Sequence, residues 1–478
     1  MTNKLIDEIR NNLDNGNVTS EMLFEEATSK AKKYQDEYNS FVTIMDNKEE
    51  LEGNSILRGI PYALKDNIST KGILTTASSN ILKDYIPLYD ATIYKKLKES
   101  GAVLMGKSVL DELAMGGTGT TGHTGIVRNP WNKERMIGGS SAGSAASVAL
   151  GIVPFAIGSD TGDSIRKPAA YGGVVGYKPT YGRISRYGLF AFASSLDHLG
   201  VFARSVKDVS YVMDIVKGHD EKDMTSLPDE DISYVDNIDN DIKGKKLFYI
   251  KEVMDITSDN DDLKNIMDNF KEVISKCKSL GLEVEEVTFG KELLEAIYPV
   301  YNVISCAEAT SNNSNLTGIP FGSRVEAGNV YDIMVKTRTE GFSELIKRRF
   351  VIGSYVLQKE NQEKLFLNAS RVRRLIVDRM NELFKKYDGL IMPTSGDIAP
   401  LFDKASDKLS DEYLILGNHL VIGNFGGFPS ISIPSGFVNN MPVSINITGR
   451  AREDYLVLNM ANKIEEILGC KGMVAKDE

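Results

Sequence analysis

Three residues of this 478-residue chain could together cut an amide: Lys65, Ser140 and Ser164. Lys65 ends the apolar run Gly59-Ile60-Pro61-Tyr62-Ala63-Leu64. Ser140 and Ser164 stand in two loops rich in glycine and serine, 24 positions apart (140 to 164), each beside an apolar segment. A serine hydroxyl attacking an amide needs a base, and a lysine serves when burial takes away its charge. Most lysines at strand ends are simply solvated, and small residues in such loops commonly pack a helix against a sheet. That plainer reading accounts for Ala145, Ala146 and Ala149. It does not account for the lysine and the two hydroxyl loops together.

Three other motifs match patterns whose physics they do not share. Gly101-Ala-Val-Leu-Met-Gly106-Lys107-Ser108 has the letters of a phosphate loop, but its inner residues are strand formers and the helix precedes it instead of following. Gly117-Thr-Gly119-Thr-Thr-Gly122 has the letters of a dinucleotide fingerprint, but it follows the helical-looking LDELAM and no βαβ unit surrounds it. Gly139-Ser140-Ser141-Ala142-Gly143 fits a nucleophile elbow. That would need a strand directly before it and a later histidine, and His419 is the one moderate partner. The elbow stays open as a minor alternative.

The elements that must position these residues alternate strand and helix. The first fifty residues look helical, with Leu5, Ile6 and Ile9 on one face and Thr19 or Ser20 placed to cap a second helix. Strands are expected over 59–64, 102–105, 152–157, 247–250 and 282–287, and helices over 92–100 and the register Leu263, Ile266, Met267, Phe270, Val273, Ile274, Cys277. The class is therefore α/β with a parallel or mixed sheet. Residues 218–245 turn acidic and polar and read as an exposed connection between two halves.

Composition bounds the rest. Hydrophobic residues make up 42%, enough for a sizeable core. A formal net charge of -10 disfavours direct tight binding to a phosphate backbone. The three cysteines make no disulfide framework. The opening MTNKLIDEIR lacks the apolar core of a signal peptide, and no stretch approaches a membrane span. A soluble, cytoplasmic chain with no membrane partner is expected.

GGSSAGSAASVALG at 138–151, followed by GSDTGDSIRKPA at 158–169, resembles the amidase signature family, whose pattern is GGSSGGSAAAV and then GSDTGGSIRxP. GIPYALKDNI at 59–68 is similar to that family's lysine segment. LDELAMGG at 110–117 and GGVVGYKPTYGRISRYG at 172–188 match as well, so the likeness covers nearly all of 50–230. It implies a single amidase-type domain over 1–478, a large mixed β-sheet covered by helices on both faces. Within it, 1–50 would be N-terminal helices, 51–217 the catalytic core, 218–245 the acidic connection and 246–478 the half completing sheet and substrate pocket. It also implies a Ser–Ser–Lys triad: Ser164 as nucleophile and Ser140, after a cis peptide from Gly139, relaying a proton to neutral Lys65. Backbone N–H groups of Thr161, Gly162, Asp163 and Ser164 would form an oxyanion hole, Asp160 and Arg166 would support that loop, and Met115 and Gly116 would line the acyl site. Asp163 departs from the family's glycine, and its charge should oppose the transition state unless it points away or pairs, for instance with Lys167.

A narrower likeness, to the glutaminase subunits of tRNA-dependent amidotransferases, rests on YNVISCAEATSNNSNLTGIPFG at 301–322, EGFSELIKRRFVIGSYVL at 340–357, GNFGGFPSISIPSG at 423–436 and GHDEKDMTS at 218–226. It implies glutamine as substrate, with Tyr301 and Arg349 (or the adjacent Arg348) holding its amino-acid end. The aspartate that this family adds falls near Gly417-Asn418-His419, where the chain has no acid. The same likeness implies two partners, the kinase/transamidase chain and a small third chain (the B- and C-subunits of such complexes). ATP, Mg and tRNA would be handled by the partner, with no cofactor or metal in this chain. The competing readings are a stand-alone amidase for small amides and a weakened scaffold with Asp163 as its lesion.

Overall fold

The computed structural model describes all residues except 258, 404–409, 411 and 476–478, with residue 412 described by its backbone. Its strands are β1 (Phe41–Ile44), β2 (Pro61–Lys65), β3 (Val103–Ser108), β4 (Phe155–Asp160), β5 (Val175–Lys178), β6 (His198–Ala203), β7 (Lys246–Ile250), β8 (Glu283–Val287), β9 (Gly389–Pro393), β10 (Ser430–Val438) and β11 (Met441–Gly449). They form one sheet in the order β1-β3-β2-β4-β6-β5-β10-β11-β9-β7-β8. The pairs β2–β3, β2–β4, β7–β8 and β7–β9 are parallel, and β4–β6, β5–β6 and β10–β11 are antiparallel. The mixed α/β sheet expected from the sequence is the architecture observed.

Strand pleating explains the two layers of helix. Along β2 and β4, Tyr62, Leu64, Phe155 and Ile157 pack with Val209, Val212 and Met213 of helix Val206–Val216 and with Leu458 and Ala461 of helix Asp454–Leu468. The intervening Ala63 and Ala156 pack on the other side, against Ala142, Ala145 and Ala146 of helix Ala142–Ala149. Side chains two apart on a strand share a face, so Lys65 lies on the Ala63 side, toward that small-residue helix. A third cluster joins helices Ile297–Asn312, Glu344–Leu357 and Asn368–Phe384 to Met115, Phe192 and Phe425.

Two expectations need correction. Residues 41–44, read as part of an all-helical first fifty, form β1 and pair with β3; helices Ile6–Asp14 and Ser20–Tyr38 precede it, the second capped by Thr19 accepting from the Met22 N–H at 3.2 Å. The chain turns because Asn39 ends the helix at a positive φ of 51°. Secondly, LDELAM is no α-helix. Only Glu112–Ala114 make a 3-10 turn, with Leu113 and Ala114 at φ of 52° and 60°. Residues 218–245 run over the surface yet are anchored by buried Tyr234, Ile238 and Ile242.

Candidate active site

The Lys65 amine sits at the C-terminal end of β2, fully buried. It lies 2.8 Å from the hydroxyls of Ser140, Ser141 and Ser159, and donates to the Ser159 carbonyl at 3.3 Å. Burial pulls its pKa down to about 7, against the opposing pull of the Asp111, Asp160 and Asp197 charges. Ser141 donates its own proton to the Ser159 carbonyl at 3.0 Å, so its oxygen can only accept from the amine. Ser159 Oγ also accepts from Asn67 Nδ2 at 3.1 Å. A neutral amine has two N–H groups, and with these shared among Ser141 Oγ, Ser159 Oγ and the Ser159 carbonyl its lone pair is left for the proton of Ser140.

The Gly139–Ser140 peptide is cis, and the loop carrying it has no room for larger residues. A Cβ on Gly139 would lie 2.0 Å from Asp111 Oδ2. Asp111 organises this corner. Its carboxylate accepts from the N–H groups of Thr118, Gly119, Thr120 and Thr121 at 3.0–3.1 Å and from the Thr121 hydroxyl at 2.9 Å. Its own N–H donates to the Ser140 carbonyl at 3.1 Å. Gly116 lies against the same carboxylate, with 2.6 Å between a Cβ there and Asp111 Cβ, while Met115 is wholly buried in the third cluster.

Ser164 follows β4 in a tight turn and is nearly buried. Its carbonyl accepts the Ser141 N–H at 3.2 Å, which ties the two serine loops together. The turn is clamped from behind. Arg166 pairs with Asp160 through Nε and Nη2 at 3.1 and 3.0 Å, and reaches the Gly162 carbonyl, the Asn424 side chain and the Leu420 carbonyl at 2.6–2.7 Å. Burial pushes Asp160 up, but the Arg166 charge wins and holds it well below the usual carboxylate range. Asp160 also accepts the Ile165 N–H at 2.9 Å. Thr161 is held from the side by Asp197. Among the described residues no protein acceptor takes the N–H groups of Thr161, Gly162, Asp163 and Ser164, so four donors of the turn are unspent. Preorganised donors of this kind suit an oxygen that gains negative charge.

Tyr301 and Arg349 come to the same place from two helices. A Cβ on Gly162 would meet the Tyr301 ring at 3.1 Å. The Arg349 guanidinium stacks over Phe192 at 5.6 Å, and its buried Nε has no protein partner among the described residues. Arg348, the other possible match, is exposed. Asp163 pairs with Lys167 at 2.6 Å, and Lys167 also donates to the Gly417 carbonyl at 2.8 Å.

Sequence reasoning gave no role to Ser159, Asn67, Asp111, Asp197 or Asn424. Ser159 and Asn67 stood inside quoted motifs, GSDTGDS and KDN, where a polar residue beside a buried lysine was the available signal. Asp197 and Asn424 carry no local signal, because their partners lie 36 and 264 positions away. The discounted motifs are accounted for structurally. Lys107 is buried in β3 and bonds to the Ile68 carbonyl, Thr70 and Thr75. The Gly117–Gly122 loop wraps the Asp111 carboxylate. His419 is buried, shares a hydrogen bond with the Leu416 carbonyl, and burial lowers its pKa to about 4.

The model of the amidase family matches residues 1–458. The chain is 38% identical to the A-subunit of glutamyl-tRNA(Gln) amidotransferase from Sulfolobus acidocaldarius, over 97% of this chain and 98% of that one. It is 39% identical to the protein of the same name from Pseudothermotoga lettingae, over 89% of each. Among solved structures, that of the glutamyl-tRNA(Gln) amidotransferase A-subunit from Thermotoga maritima superposes with a TM-score of 0.83 at 35% identity, covering 99% of this chain and 97% of that one.

Proposed function

The chain belongs to the amidase family, and from that premise we propose that it is a glutaminase, releasing ammonia from glutamine for a tRNA-dependent amidotransferase. The observation that carries the reading is the buried Lys65 amine, lowered to about 7 and 2.8 Å from Ser140 Oγ. Near neutral pH a large fraction of that amine is uncharged and can receive a proton.

In this mechanism Ser164 Oγ attacks the carboxamide carbon, its proton passing to Ser140 as the Ser140 proton passes to Lys65. The carbonyl electrons move onto oxygen, where the N–H groups of Gly162, Asp163 and Ser164, with Thr161 beside them, receive the charge. Removing one such donor typically costs about 3 kcal/mol of barrier. Collapse returns the proton through Ser140 to the leaving nitrogen. Ammonia departs and a glutamyl ester remains on Ser164; water then attacks it with the same relay taking and returning one proton, giving glutamate. Met115 and Gly116 would line the acyl site, and Tyr301 and Arg349 would hold the amino-acid end. Arginine fits an α-carboxylate because its fork offers paired donors.

The relatives that carry the amidotransferase name support a multi-subunit setting. Under this reading the kinase/transamidase chain and a small third chain complete the complex in the cytoplasm. ATP, Mg and the mischarged tRNA act on the partner, in keeping with the acidic net charge of -10. Among the described residues no helix is long and apolar enough to cross a membrane.

The test is glutamine-derived ammonia from the assembled complex, wild type against Ser164→Ala. Loss of ammonia in the variant is expected, and equal output rejects the triad. Hydrolysis of simple amides by the chain alone, with no gain from partner subunits, would instead indicate a stand-alone amidase.

A further inference from the structure

We propose that Asp163 is the receptor for the α-ammonium of the substrate, so that Asp163 and Arg349 together read the two charges of a free amino acid. The inference rests on the glutaminase reading and adds a substrate-recognition role for a residue beside the proposed nucleophile.

In glutamine the carboxamide carbon and the α-carbon are three bonds apart, about 4 Å when extended. The ammonium nitrogen is one bond further, about 5 Å from the carboxamide carbon, and its acceptor about 3 Å beyond that, so a receptor close to Ser164 is within range. Asp163 is its chain neighbour, since consecutive α-carbons stand about 3.8 Å apart.

A bare acid beside the Gly162–Ser164 donors would oppose charge developing on the substrate oxygen. Lys167 holds Asp163 Oδ2 at 2.6 Å while donating to the Gly417 carbonyl at 2.8 Å. The carboxylate is thereby directed to the 417 side of the pocket, where residues 417–419 supply no acid of their own. A carboxylate accepts at both oxygens, so one lysine does not saturate it, and the Asp163 side chain remains 21% exposed.

The Tyr301 ring lies on Gly162, the residue before Asp163. Burial raises the Tyr301 phenol, the Arg349 charge lowers it and the Asp163 charge raises it. Tyr413, four residues before Gly417, is raised by burial and lies within reach of the same two charges. An anion and a cation thus act on the same two aromatic rings, and the cation's buried Nε has no protein partner among the described residues. That is the charge pattern a zwitterion complements.

The experiment compares glutamine with 4-carbamoylbutanoate, the same molecule without its α-amino group, as substrates of the full chain in its complex. The readout is the ratio of the two kcat/KM values within each protein, so that general damage to the turn cancels. For Asp163→Asn the ratio should fall roughly ten- to a hundredfold, the worth of a hydrogen bond to a charged group, and Asp163→Glu should recover part of it. A wild type active on glutamine whose Asp163→Asn variant keeps the same ratio overturns the proposal and leaves the glutaminase reading standing. A wild type that releases no ammonia from glutamine while cleaving other amides removes both.

Discussion

Thr161 Oγ1 donates to Asp197 Oδ1 at 2.7 Å, and this bond joins the turn that carries Ser164 to the loop that carries Phe192. The same carboxylate accepts the Phe192 and Ala193 N–H groups at 2.9–3.1 Å. Phe192 in turn lies under the Arg349 guanidinium. One buried acid therefore sets the position of the oxyanion donors relative to the wall that would hold the amino-acid end.

Asp197→Asn keeps the volume but replaces one acceptor oxygen with a donor, so the Thr161 hydroxyl must reverse its bond or lose it. A misplacement of about 1 Å at a reacting centre can cost about a hundredfold, so kcat for ammonia release should drop ten- to a hundredfold. Thr161→Val breaks the same bond from the other side. The double variant should be little worse than either single one, because both remove one interaction. Wild-type kcat in Asp197→Asn would show that the bond is dispensable.

Under the proposed mechanism Lys65 should give the activity its pH dependence. Its pKa is lowered in the folded protein from 10.5 to about 7, and the mechanism uses the neutral form. Activity should rise tenfold per pH unit below about 7 and level off above it. Stability follows with a definite sign. Between about 7 and 10.5 the unfolded chain binds the proton and the folded one does not, so stability rises with pH across that window and is unaffected by this group below it. From pH 7 to pH 9 the wild type should gain about 2 kcal/mol relative to Lys65→Met, read from denaturant unfolding at both pH values. Parallel curves for the two proteins would mean the amine is not buried neutral.

Gly162→Ala tests how tightly Tyr301 covers the turn. The new methyl would sit 3.1 Å from the ring, so ring or turn must shift and the KM for glutamine should rise. Replacing the ring as well, in Gly162→Ala/Tyr301→Ala, should cost less than the two single losses added. Strict additivity would separate the two residues.

Arg166→Lys probes the clamp. The lysine keeps the charge but cannot reproduce a forked pair to Asp160 and four further bonds, and a buried acceptor left without a partner typically costs about 1–3 kcal/mol. A loss of that size in denaturant unfolding is expected, and a change below about 1 kcal/mol would contradict the clamp.

The sequence made the framework legible wherever chemistry was local. Lys65 could be placed because an apolar run ends on it, and the loops around Ser140 and Ser164 because glycine and serine crowd there. The helix Asp261–Ser279 was visible in its apolar spacing. β1 was not, because four residues of strand between a helix and a polar stretch show no period. LDELAM misled because its apolar spacing is helical, whereas the Asp111 carboxylate captures the following N–H groups and turns the chain. Asn424 and Asp197 were invisible for a different reason: their meaning comes from segments brought together only by the sheet.

The Arg166 clamp also orders events in time. Two of its anchors, the Leu420 carbonyl and the Asn424 side chain, lie 254 and 258 positions further along the chain, and are made long after Lys65, Ser140 and Ser164. A nascent polypeptide still lacking that stretch holds all three reactive groups but not the brace behind the turn. The turn around Ser164 is therefore braced only once residues 420–424 have been made and have docked against Arg166.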